Sequence, residues 1–287
     1  MIKQASILNF LYALFIFVFI GLPAFGFYWF KNNTYSTDAL QMARFDYPDR
    51  LTSCTANRKP GLAGHSEGLK TENGFQFRVK TPSNYQSNFA HPLLVVYSPS
   101  IMGSMMERFV GLTHHATRRG FIIAYVDGKP LSIQSIAELG EAPNEIMKQW
   151  CIDSNRIYLT GHSDGGTVSS ALAFLPESPV KPRAIAPSAA GINAEEYANI
   201  ECPDPVSVMV LHNRNDSHFP GFGKQAAQWW AQCNQCNATP SPTKSESCER
   251  FENCKTGKET LFCHPEGGHI QWPKLNEEMM GFFQRQT

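Results

Sequence analysis

The chain has 287 residues, 42% of them apolar and 12% aromatic, enough for a sizeable core and unlike a disordered chain. Lys plus Arg and Asp plus Glu both total 25, a formal net charge of +0 with no basic run. Charge-driven attachment to nucleic acid or to an anionic membrane surface is therefore excluded as the main function.

The predicted elements begin with an apolar run at residues 7–30, ILNFLYALFIFVFIGLPAFGFYWF, in which Asn9 is the only strongly polar residue. A helix of about 20 such residues crosses a bilayer, and Tyr28-Trp29-Phe30 before Lys31 reads as an interfacial end. The competing reading is a cleaved signal peptide: an apolar core at 7–22, a break at Pro23, and small residues in Ala24-Phe25-Gly26 before the cut. Residues 1–30 are thus expected to be an N-terminal hydrophobic helix, either a membrane anchor or a signal peptide. Both readings put the remaining chain outside the cytoplasm, tethered to the membrane in the first case, secreted or periplasmic in the second. Residues 31–72 are polar without a sustained period and read as a tether and entry segment.

From Gly74 strand-like and helix-like stretches alternate. FQFRV (75–79) alternates with period two, and LLVVY (93–97) and FIIAYV (121–126) are short apolar runs of the buried-strand type. Between the last two, residues 105–120 carry Phe109, Leu112 and Ala116 at helical spacing and end at Gly120. IYLT (157–160) is a strand, TVSSALAFL (167–175) a helix, VSVMVLH (206–212) a strand and GKQAAQWWAQ (223–232) a helix. The alternation predicts an α/β domain over 73–287, a mostly parallel sheet with helices on both faces.

Eight cysteines, Cys54, Cys151, Cys202, Cys233, Cys236, Cys248, Cys254 and Cys263, form an even set. In an exported chain such a set implies disulfides whose pairing the sequence does not reveal. Five fall in 233–263, which predicts a stapled Cys-rich lobe. The alternative there is zinc held by Cys233-x-x-Cys236, Cys248, Cys254 and Cys263-His264.

Gly161-His162-Ser163-Asp164-Gly165 is a G-x-S-x-G pattern between a predicted strand and a predicted helix. That context is the one in which a serine sits on a sharp bend with its hydroxyl projecting and the helix amino end offering free N–H groups, including that of Asp164, to an oxyanion. A serine needs a base, and the base an orienting acid. In chain order the acid is Asp216, in the loop after the strand at 206–212, and the base is His269, after Gly267-Gly268. The Asp164 carboxyl is expected to cap the helix. His162 either lines the site or packs beneath it, and Trp272, three residues after His269, is expected near the substrate. Adjacent His114 and His115 point to different helix faces and make no metal pair. Trp229-Trp230 and Phe282-Phe283 read as core or surface anchors.

Five stretches carry a resemblance: PLLVVYSPS, RRGFIIAYVDG, WCIDSNRIYLTGHSDGG, CPDPVSVMVLHNRND and GGHIQWP. Over about residues 74–287 the chain resembles the secreted poly(3-hydroxybutyrate) depolymerases and feruloyl or acetylxylan esterases. The resemblance implies an α/β-hydrolase fold, serine-esterase chemistry on a small or oligomeric ester, and no metal or organic cofactor. Ser163, Asp216 and His269 match the family's nucleophile, acid and base. The family's oxyanion donor position falls on Ser100, beside the N–H of Asp164, and its usual cysteines imply a Cys151–Cys202 bridge. Three departures stand out. Ser98-Pro99 replaces the family's His-Gly, which removes one N–H from the bend. His212-Asn213-Arg214-Asn215-Asp216 replaces His-Gly-Thr-x-Asp, and residues 127–150 form a short substrate-side segment. The other readings are a catalytically degenerate binding module of the cell envelope, to which the Ser98-Pro99 change points, and an acyltransferase or peptidase on the same fold.

Overall fold

The computed structural model describes Cys54 and residues 59–286; the apolar run 1–30, and with it the choice between anchor and signal peptide, lies outside the described residues. Among the described residues no helix is long and apolar enough to cross a membrane.

In chain order the elements are β1 (His65–Lys70), β2 (Gln76–Lys80), β3 (His91–Tyr97), α1 (Met106–Val110), α2 (Thr113–Thr117), β4 (Ile122–Val126), α3 (Ile133–Leu139) and α4 (Ala142–Gln149). There follow β5 (Ile152–His162), α5 (Asp164–Phe174), β6 (Ala184–Ser188), α6 (Ala194–Ala198), β7 (Ser207–Leu211), α7 (Phe222–Cys233), β8 (Pro240–Pro242), β9 (Cys248–Phe251), β10 (Thr260–Cys263) and α8 (Asn276–Gln284). The strands make one 10-stranded sheet in the order β1-β2-β4-β3-β5-β6-β7-β10-β9-β8. The run from β4 through β10 is parallel, and β1, β2, β8 and β9 add antiparallel edges. This is the α/β-hydrolase fold.

Every residue of β3, β4 and β7 is buried, as expected of parallel strands covered on both faces. Successive side chains of β3 serve two cores. Leu93, Val95 and Tyr97 join one with Leu172 of α5 and Trp230 of α7; Leu94 and Val96 join the other with Phe109 of α1, Ala116 of α2 and Phe282 of α8. Trp230, Phe282 and Phe283 are thus core, whereas Trp229 is half-buried against Tyr197.

Several expectations are corrected. β1 lies inside the stretch read as tether, where its exposed side chains give no apolar period. The helix expected over 105–120 is two helices, because Gly111 closes α1 at φ 62, in the left-handed region. Cys151 does not pair with Cys202: the bridges are Cys54–Cys151, Cys202–Cys233, Cys236–Cys254 and Cys248–Cys263. Cys151 immediately precedes β5 and Cys202 leads towards β7, with β6 between those strands. Two strand spacings are roughly 10 Å, beyond the Cα separation a disulfide spans. All eight sulfurs are bridged, so the zinc alternative has no thiolates left, and the Cys-rich lobe continues the main sheet through β8, β9 and β10.

Candidate active site

β5 ends at His162 and α5 starts at Asp164, so Ser163 alone makes the bend, at φ 55 and ψ −119. A non-glycine residue at positive φ is strained, and surrounding contacts must hold it there. The Ser163 N–H donates to the Ser188 carbonyl at the end of β6, 2.9 Å away. Bare glycine backbones allow the rest. A Cβ on Gly161 would lie 2.4 Å from the Gly165 carbonyl oxygen, one on Gly165 2.0 Å from that of Tyr97, and one on Gly166 2.2 Å from that of Ser188. The start of α5 is therefore pressed against the carboxyl ends of β3 and β6. Asp164 does not cap the helix: Ser163 holds the cap position and no side chain bonds there. As first helical residue, Asp164 keeps its N–H outside the helical ladder.

Asp216 and His269 arrive from loops after β7 and β10. His269 Nδ1–H donates to Asp216 Oδ2 at 2.8 Å, and Ser163 Oγ–H donates to His269 Nε2 at 2.9 Å. The structure thus brings together the three residues singled out from the sequence. Asp216 Oδ1 accepts the N–H groups of His218 and Phe219, both at 2.9 Å. Burial by itself would raise the Asp216 pKa, but the Phe219 N–H and His269 outweigh it and hold the carboxyl below its ordinary range. The two loops are sewn together. Asn213 Nδ2–H donates to the carbonyls of Gly268 (2.8 Å) and Gln271 (2.7 Å), and the Asn215 N–H donates to that of Gly267 (3.0 Å). Asn213 stands where the resemblance led to a glycine, and its amide is one of two site contributions that sequence reasoning missed. The other is Gln271, whose Oε1 accepts the Gly268 N–H at 2.9 Å. The signal for Asn213 was its replacement of the family's glycine three residues before Asp216, and for Gln271 its place two residues after His269.

Trp272, expected near the substrate, is buried behind the site, and His162 takes the packing alternative beside it. The His162 ring packs edge-on to Phe109 and Trp272, and Trp272 Nε1–H donates to Asn276 Oδ1 at 2.7 Å. His162 Nε2 lies 2.6 Å from the His269 carbonyl oxygen, which can only accept, so Nε2 carries the proton. Nδ1 then accepts from Ser188 Oγ–H at 3.0 Å. Burial pushes the His162 pKa down to about 4, which keeps the ring neutral near pH 7. The half-buried His114 and His115 of α2 have ring centroids 5.4 Å apart, and His115 bonds Glu277.

The segment holding Ser100, expected to supply an oxyanion donor, follows β3. The Ser98 N–H donates to the Val126 carbonyl at 3.0 Å and the Met102 N–H to that of Pro99 at 3.1 Å, which closes a turn around exposed Ser100. Gly128 backs this bend so closely that a Cβ there would lie 2.1 Å from the Ser98 carbonyl oxygen and 2.8 Å from the Ser100 nitrogen. Residues 127–150, the short substrate-side segment, fold into α3 and α4.

No family model matches the chain. In sequence it is 29% identical over 225 residues to feruloyl esterase B of Piromyces equi, a match covering 66% of this chain and 41% of that protein. It is 23% identical over 222 residues to feruloyl esterase D of Neurospora crassa, covering 68% of this chain and 73% of the relative. A probable feruloyl esterase C of Aspergillus clavatus is 26% identical over 244 residues, covering 78% and 84%. The match therefore spans less than half the length of the Piromyces protein. In fold, a truncated carbohydrate esterase from gut microbiota superposes with a TM-score of 0.55 at 12% identity, covering 79% of this chain and 97% of that one. Esterase 2 of Thermogutta terrifontis, phosphorylated by paraoxon, gives a TM-score of 0.52 at 12% identity, covering 84% and 95%. In sequence the chain is similar to feruloyl esterases, and its fold is that of the α/β-hydrolases.

Proposed function

We propose that the chain is a carboxylic-ester hydrolase working through a serine acyl-enzyme, with Ser163 as nucleophile, His269 as base and Asp216 as orienting acid. The observation that carries this reading is His269 bridging the other two side chains at 2.8 and 2.9 Å. Ser163 Oγ attacks the ester carbonyl as its proton passes to His269 Nε2. The N–H groups of Asp164 and Ser100 hold the oxyanion, and the imidazolium returns its proton to the departing alcohol. Water, losing a proton to the same nitrogen, then releases the acid. No metal or organic cofactor enters these steps.

The relatives' names favour feruloyl esters over acetyl or polyhydroxyalkanoate esters as substrates. Four disulfides fit an oxidising compartment, with a catalytic domain of residues 73–287 extended by β1 and residues 1–30 as anchor or signal. The test is covalent labelling by a fluorophosphonate probe, followed by a panel of feruloyl, acetyl and hydroxybutyryl esters. Labelling of the wild type and none of Ser163→Ala is expected. A folded wild type that neither labels nor turns over any ester overturns the reading and leaves a binding module on a hydrolase fold.

A further inference from the structure

Resting on the esterase reading, we propose that Arg78, far from Ser163 in the chain, is a positioning residue of the oxyanion segment: its guanidinium, held between Asp127 and the Gly103 carbonyl, sets the turn that presents the Ser100 N–H.

The argument starts with β2. Phe77 and Val79 enter the core cluster of α5 and α7, so the intervening Arg78 and Lys80 face the opposite side. Both are buried, and a buried cation is costly unless it is bonded. Arg78 Nη2–H donates to Asp127 Oδ1 at 2.7 Å and to the Gly103 carbonyl at 3.1 Å, and Nε lies 3.9 Å from Glu67. Lys80 pairs with Glu67 and, at 3.4 Å, with buried Glu107 of α1, which also accepts from Thr113 Oγ1–H at 2.8 Å. β2 therefore grips the segment following β3 at two points, Gly103 and Glu107. Gly103 takes φ +44, a conformation that disfavours any other residue.

Arg78 reaches Ser100 by a second path. Its partner Asp127 precedes Gly128, whose backbone abuts Ser98, Pro99 and the Ser100 nitrogen. The Asp127 N–H is tied to the Gln76 carbonyl of β2 at 3.0 Å, so β2 backs both sides of the bend. With Pro99 supplying no N–H, the segment depends on the placement of Ser100. A displacement of about 1 Å in such a donor costs on the order of 100-fold in rate. A purely structural ion cluster would instead affect stability alone.

The full disulfide-bonded chain carries the test. Arg78→Lys keeps the charge but loses the planar guanidinium whose Nη2 serves both acceptors. Per serine titrated with fluorophosphonate, kcat of Arg78→Lys should fall about 10- to 100-fold with KM changed less than about threefold. Added guanidinium should restore part of the kcat lost in Arg78→Ala. Hydrogen exchange of amides 98–105 should accelerate about tenfold in both variants while that of α8 stays fixed. Should Arg78→Ala not fold, Asp127→Asn takes its place in the exchange experiment. Unchanged kcat per titrated serine, or unchanged exchange at 98–105, overturns the proposal. A wild type inert toward esters would sink the esterase reading separately, and the exchange result would still decide whether Arg78 positions the segment.

Discussion

His162 sits one residue before the proposed nucleophile, yet the base is what it holds. Its Nε2–H on the His269 carbonyl and its Nδ1 on Ser188 fix the backbone on which the imidazole of the proposed base is mounted. This arrangement requires the neutral ring, and the consequence appears in stability. The His162 pKa is pushed down by burial from 6.5 to about 4, so the unfolded chain binds the extra proton between those values and the folded chain does not. Stability is full above pH 6.5 and is lost as pH falls towards 4, by on the order of 3 kcal/mol for a shift of this size. Buried His91 is shifted in the same direction and adds to the same window. The lowered Asp216 pKa acts below this window, because its stabilisation disappears only under the ordinary aspartate value of 3.8. Urea midpoints measured between pH 7.5 and 4.5 should therefore fall, and fall less in His162→Gln. A variant slope equal to that of the wild type would show that His162 is not the group titrating.

At the scale of elements, the strand–turn–helix unit around Ser163 depends on glycine at three positions. Gly165→Ala would force a Cβ to 2.0 Å from the Tyr97 carbonyl oxygen, a backbone atom that cannot swing away. Loss of about 2–3 kcal/mol or more in unfolding free energy is expected, with loss of fluorophosphonate labelling as the elbow shifts. Gly281→Ala, in α8, meets only the tip of Arg285 at 3.8 Å and should be neutral or stabilise by up to about 1 kcal/mol. Equal effects of the two in denaturant unfolding would contradict this account. The contrast also explains what was legible at this scale. LLVVY, FIIAYV and VSVMVLH read directly as strands because both faces are buried. β1 (HSEGLK) and β8 (PSP) are edge strands with mostly exposed side chains, so only their pairing to β2 and β9 reveals them.

For the whole molecule, the Cys54–Cys151 bridge ties the entry segment to the amino end of β5, while Ser163 follows its carboxyl end. Eleven residues at roughly 3.3 Å each separate the two by on the order of 35 Å. Replacing both cysteines by alanine should lower stability by about 2–5 kcal/mol while leaving kcat unchanged, as read by denaturant midpoint and ester turnover. A matching loss of kcat would mean that β5 transmits the strain to the elbow. Much of this protein was written in chain order. The alternation of strands and helices, the bend at Ser163 and the order serine, aspartate, histidine all depend on neighbours within a few residues, where apolar period and turn chemistry act. Which cysteines pair, which face of β2 buries Arg78 and Lys80, and that His162 and Trp272 lie behind the site follow from strand order and from contacts between segments far apart in sequence. Those contacts exist only once the sheet has assembled, because packing and hydrogen bonding between distant segments, unlike backbone propensity, leave no local periodic trace.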